Sequence, residues 1–230
     1  MSEGYIDKDT CTFSSYRNQR LSVYILTFLT TVLMTGILVG QLNSATVDLL
    51  ASTFASIVPG FSSNIWVPAI LEEFTARTLP AIYTLLLFRL VSRGGRCYRI
   101  RDEAYRLGAI GAFAMGLTEF LIRPKFGSEV AYLAPLVMHM IAGTLNFGTF
   151  YRVFGDYEIE GRDVVAYTGA LFIAIAIHFV FNTWVQTQRE FWVSWTSTVG
   201  IPVTTLVVIA IGLIGADVID EYLKSRAGWT

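Results

Sequence analysis

Charge is scarce in this sequence: 15% of its 230 residues are Asp, Glu, Lys or Arg, and they nearly cancel to a net charge of −1. So weak a balance gives no electrostatic footprint for nucleic acid, and no block of like charge forms an interaction tail. Histidine and cysteine are scarcer still, with two of each in the whole chain. Cys11 and Cys97 both fall in polar segments outside the apolar runs, so neither a disulfide nor a CxxC metal clip is expected. A small-residue cleavage site is also missing after the first apolar run, which therefore reads as a retained span and not a signal peptide. Internal repeats, linkers and low-complexity tracts are absent.

What the chain has instead is apolar length. Hydrophobic residues make up 53% of it and the mean hydropathy is +0.53. They come in runs long enough to cross a hydrocarbon core of about 30 Å, for which a helix needs about 20 residues. The expected fold is all-α, a polytopic transmembrane helix bundle in the lipid bilayer of the plasma membrane, with about six spans near 21–40, 65–88, 104–122, 130–151, 164–186 and 192–216. Residues 45–61, interrupted by Asp48, Pro59 and Gly60, read as an interfacial or re-entrant piece, with a seventh span as the alternative. A tail over 1–20 precedes the membrane domain of 21–216, and a second tail covers 217–230. Basic residues concentrate in the N-terminal tail, in the loop from Arg89 to Arg101 and at the C-terminus, whereas Arg123, Lys125 and Arg189 fall on the other side. The positive-inside rule then puts both termini in the cytoplasm.

Ionisable side chains inside spans cost about 3 kcal/mol each, so every one needs a reason. Six stand out: Glu72, Glu73, Arg77, Glu119, His139 and His178. At about 1.5 Å per residue, Glu72 lies roughly 10 Å into its span, Glu119 about 5 Å before the end of its own, His139 about 14 Å in and His178 about 12 Å before an end. Because successive spans run in opposite directions, all four fall in one half of the membrane, the outer half in this orientation. Facing agrees with depth. Glu119 continues a small-residue stripe of Gly108, Ala112 and Gly116; His139 shares a face with Gly143 and Asn146; His178 shares one with Ala170, Ala174 and Asn182. Glu72 and Glu73 are about 100° apart on a helix and are expected to point to different places, with Glu73 paired to Arg77 at the favourable four-residue spacing.

Carboxylates and imidazoles sharing a low-dielectric pocket suit hydrolysis. A buried carboxyl can serve as general base toward water. The set Glu72, Glu119, His139 and His178 also has the ligand types of a catalytic zinc. Asn182 could donate its amide to an oxyanion.

These residues resemble a known family. Glu72-Glu73-Phe74-Thr75-Ala76-Arg77 is similar to the EExxxR motif, and His178-Phe179-Val180-Phe181-Asn182 to the HxxxN motif, of the CAAX-type and bacteriocin-processing membrane proteases. The segment from Gly108 to Phe120, with Glu119, and His139 with Gly143 and Gly148, resemble the PrsW branch of that superfamily. The resemblance covers roughly residues 66–185. It implies cleavage of a membrane-bound protein, an anti-sigma-factor-like or a lipidated one, with catalytic residues among Glu72, Glu73, Glu119, His139, His178 and Asn182.

Plainer readings stand beside this one. Glu73 with Arg77 reads first as a structural ion pair. The histidines could be interhelical glue, and Glu119 an end-of-helix residue reaching the interface near Arg123. Two histidines at one depth could also ligate a b-type haem in an electron carrier, and a proton or ion pathway would use buried Glu and His as well.

Overall fold

The computed structural model describes residues 11–41, 69–70, 72–92, 97–122, 133–155, 161–187 and 201–226, together with 52, 53 and 56. Every regular element among them is helical. In order they are α1 (Phe13–Gln41), α2 (Leu79–Val91), α3 (Ala104–Ile122), α4 (Leu133–Met138), α5 (Thr144–Phe154), α6 (Gly161–Thr187) and α7 (Ile201–Arg226). A π-helical turn, Phe74–Thr78, leads into α2, and a 3-10 turn, Ile100–Glu103, leads into α3. A second π turn, His139–Gly143, joins α4 to α5. The expected interfacial stretch 45–61 lies outside the described residues except for Ser52, Thr53 and Ser56.

Among the described residues, three helical stretches, Phe13–Ile37, Phe74–Val91 and Gly161–Phe181, are long and apolar enough to cross a membrane. Their surfaces are inverted relative to a water-soluble bundle. Along α1, Leu21, Ile25, Leu29, Leu33 and Ile37 are exposed at four-residue steps, whereas Thr27, Thr31 and Thr35 are buried at the same step on the opposite face. Apolar surface outside and hydroxyls inside is the arrangement that a hydrocarbon solvent favours. Thr30 of α1 meets Thr84 of α2 hydroxyl to hydroxyl at 2.7 Å.

Local chemistry fixes the helix starts. Thr12 caps α1, its hydroxyl accepting the Ser15 N–H at 3.2 Å, so the helix begins well before the apolar run. In the first turn of α2, Pro80 has no N–H to offer Ala76 and its ring crowds that carbonyl; the widened π turn before it accommodates the mismatch. The start of α3 is capped from another helix: Asp220 of α7 accepts the N–H groups of Tyr105 at 3.1 Å and Arg106 at 2.9 Å. Helix α7 itself runs on to Arg226, past the span end expected at 216.

One end of the bundle is tied by polar contacts. The buried Glu103 carboxylate accepts Arg20 Nε at 2.8 Å, Tyr98 Oη at 3.0 Å and Tyr24 Oη, while Arg106 bridges it at 3.2 Å and Asp217 at 2.5 Å. Gln19 Oε1 accepts the Cys97 and Tyr98 N–H groups. At this end Cys11 and Cys97 form a disulfide, with Cα atoms 5.4 Å apart. This corrects the sequence expectation of two separate thiols. The N-terminal segment and the segment before α3 are far apart in the chain but share one end of the bundle, where α1 brings Gln19 and Cys11 against Cys97.

Helices α3 and α5 approach backbone to backbone. A Cβ on Gly108 would lie 2.6 Å from Gly148 N and 2.8 Å from the Thr144 carbonyl, and one on Gly143 would lie 2.8 Å from Ala112 Cβ. The small-residue stripe read from the sequence is therefore the contact face of α3, and Glu119 continues it toward the opposite end.

Candidate functional site

Glu103 and Glu119 are separated along α3 by about 24 Å at 1.5 Å per residue, so the second polar cluster sits far from the tied end. It is assembled from four elements. Glu72 and Glu73 stand just before the first π turn, which carries Arg77. Glu119 comes from the last turns of α3, His139 opens the second π turn, and His178 projects from α6. All six ionisable residues singled out in the sequence meet here. Glu73, Arg77 and His139 are completely buried, and Glu72 and His178 nearly so.

The contacts run in two branches through Arg77. Its guanidinium pairs with the Glu73 carboxylate through Nη1 and Oε1. Through Nη2 it reaches His139 Nδ1 at 2.8 Å, with Met138 Sδ at 3.5 Å. On the far side of its ring, His139 Nε2 bonds Glu119 Oε2. In the second branch, Glu73 Oε1 lies 3.2 Å from His178 Nδ1, and His178 Nε2 lies 3.3 Å from Glu72 Oε2. The two imidazoles face each other edge-on, with centroids 6.1 Å apart and planes at 84°.

Glu72 and Glu73 therefore contact the two nitrogens of one ring, which corrects the expectation that they point to different places. Neighbouring side chains on a helix diverge, but the His178 ring is wide enough to straddle both. The Glu73–Arg77 ion pair is present as expected, yet Glu73 does more than neutralise Arg77, since it also holds His178.

Asn146 was legible only as a residue on the His139 face. It anchors Glu73 twice, donating Nδ2–H groups to its carbonyl at 3.1 Å and to Oε2 at 2.8 Å. Tyr167 Oη donates to Asn146 Oδ1 at 3.3 Å and lies 2.7 Å from the Thr78 hydroxyl. The signal available in the sequence was an amide two helical turns from a buried histidine, inside an apolar run. Asn182 lies one turn beyond His178 on α6, with its side chain outside the described residues.

A zinc ion does not fit this set with His139 in it. A guanidinium only donates hydrogen bonds, so Arg77 Nη2 requires the lone pair of Nδ1, and the proton of neutral His139 then sits on Nε2, facing Glu119. The nitrogen that faces the site is thus a donor, not a ligand. Among the described residues no group of three or more His, Cys, Asp or Glu side chains is placed to hold a metal ion.

The cluster can bind and orient a water between carboxylates and imidazoles and exchange a proton with it. Compared with protein-family models, with curated proteins and with solved structures, the chain matches none.

Proposed function

We propose that this protein is an intramembrane endopeptidase that hydrolyses a peptide bond of a membrane-bound protein. The observation that carries the reading is the meeting of Glu72 with His178 and of Glu119 with His139 in one buried cluster, inside a bundle whose outer surface is apolar. Buried ionisable groups in membrane helices are expensive, and four converging from separate elements answer better to chemistry than to packing. The resemblance to the CAAX-type and PrsW membrane proteases supports the same chemistry.

In this reading the Glu72–His178 pair takes a proton from water as the water oxygen bonds to the scissile carbonyl carbon. The carbonyl oxygen gains negative charge and is met by an N–H donor. The same pair returns the proton to the leaving nitrogen as the C–N bond breaks, giving a carboxyl and an amine. General acid–base assistance of this kind is worth about 100- to 10,000-fold.

The proposal includes a bundle of about six spans, in which α3, the α4–α5 unit and α7 cross together with the three longest apolar stretches, and a plasma-membrane location with both termini inside. The site then opens in the outer half, and the substrate is an anti-sigma-factor-like or lipidated membrane protein. Co-expression with tagged candidate membrane proteins tests the activity. A fragment should appear with the wild type and not with Glu72→Ala; equal cleavage by both would remove Glu72 from the chemistry.

A further inference from the structure

We infer that the two histidines are held in opposite tautomers, His139 with its proton on Nε2 and His178 with a proton on Nδ1, so that only the His178 side of the site exchanges protons. The inference deepens the proposed function by dividing its roles, but it rests on contacts that exist whether or not a substrate is cut.

The argument starts at Asn146. One of its amide hydrogens goes to the Glu73 backbone carbonyl, which can only accept, and this fixes which end of the amide is nitrogen. The second hydrogen goes to Glu73 Oε2, and the Arg77 guanidinium is ion-paired with Oε1. With an N–H donor on one oxygen and a guanidinium paired with the other, Glu73 is an ionised acceptor. His178 Nδ1, 3.2 Å from Oε1, must therefore carry a hydrogen. Arg77 imposes the reverse on the other ring: Nη2 donates to His139 Nδ1 at 2.8 Å, so that nitrogen offers its lone pair and the hydrogen lies on Nε2, toward Glu119. A single cation, braced by a carboxylate and an amide, sets both rings.

The chemical division follows. His139 is a fixed N–H donor committed to Glu119. His178 Nε2 offers its lone pair toward the site and faces Glu72 at 3.3 Å. Arg77, Glu73 and Asn146 act as positioning residues, because they work through the rings.

The chain has only these two histidines, so protein labelled with ring-15N histidine gives two imidazole spin systems. The full-length protein in detergent or nanodiscs should show one ring with the proton on Nε2, missing from His139→Gln, and one with a proton on Nδ1, missing from His178→Gln. If one variant fails to fold, the other assigns both rings by subtraction. A proton on His139 Nδ1, or none on His178 Nδ1, overturns the inference. So does added zinc that shifts the Nε2 signals of both rings, because binding there requires a lone pair on His139 Nε2. The cleavage assay separates the two readings: the expected tautomers with no substrate cut leave the inference standing and the protease reading without support, and cleavage with other tautomers does the opposite.

Discussion

Asn146 grips Glu73 at both its carbonyl and its carboxylate, and the same carboxylate faces Arg77 and His178. Glu73 and Arg77 are both fully buried, so removing one leaves the other as an uncompensated charge, at a cost of about 3–5 kcal/mol. Glu73→Gln and Arg77→Ala should each lower the melting temperature in detergent and reduce cleavage. Melting like the wild type in both variants would show that the pair contributes nothing to the fold.

Glu72 is expected to separate from its neighbour in this respect. It stands at the edge of the cluster, and its contact with His178 is long, at 3.3 Å. Glu72→Gln should reduce cleavage by about 100-fold or more while leaving the melting temperature near that of wild type. A large thermal shift with residual activity would reassign Glu72 to structure.

Two glycine substitutions should have opposite signs. Gly108→Ala drives a methyl against the backbone of α5, which cannot rotate away, and should cost about 1–3 kcal/mol. Gly169→Ala on α6 meets nothing within 4 Å and should gain about 0.5–1 kcal/mol from the lower entropy of the unfolded chain. Thermal denaturation of the two proteins side by side tests the α3–α5 contact; equal effects would deny it.

The disulfide gives a stability and a topology prediction together. Cys11 and Cys97 close a loop of 86 residues, for which chain-entropy arguments give about 4–5 kcal/mol. Reductant should lower the melting temperature of purified protein, and Cys11→Ser should abolish that response. If arginine-rich segments lie in the cytoplasm, acid-quenched cells should yield free thiols and the bond should form on purification in air. A bond already present in quenched cells would put this face outside and reverse the orientation.

Asp220 supplies a pH dependence away from the site. Burial raises its pKa from the ordinary 3.8 to about 6, against the lowering effect of the Arg106 and Tyr105 N–H groups it accepts. The folded state thus binds a proton that the unfolded chain has already released in that interval. Stability contributed by this residue is largest below about pH 4 and falls as pH rises toward about 6. Asp220→Asn should flatten the melting-temperature profile between those values; an unchanged slope would assign the dependence elsewhere.

The ionisable cluster was legible because a membrane interior penalises charge so heavily that each exception is conspicuous in the sequence, and because helix rise turns residue number into depth. The Gly108, Ala112 and Gly116 stripe was legible for the same geometric reason. The shared contact of Glu72 and Glu73 with His178 was not, since facing at 100° per residue says where a side chain leaves the helix and not how far an imidazole reaches back. Asn146 carries no charge and so did not stand out, though its amide fixes the carboxylate that orients His178. The Cys11–Cys97 bond depends on which ends of α1 and α3 adjoin, a tertiary fact that the local polarity of each segment does not contain.

The close approach of Gly108 to Gly148 and of Gly143 to Ala112 sets a dimensional tolerance for the site. Most helix interfaces are spaced by side chains, which act as adjustable shims: a rotamer change or a methylene more or less moves the helices by a fraction of an ångström. Where Gly108 meets Gly148 and Thr144 there is no such layer, and the gap is the contact distance of two main chains. Glu119 continues along one of these helices, and His139 opens the turn that leads into the other. The spacing between that carboxylate and that imidazole is therefore gauged by backbone dimensions, which do not vary with side-chain repacking elsewhere in the bundle.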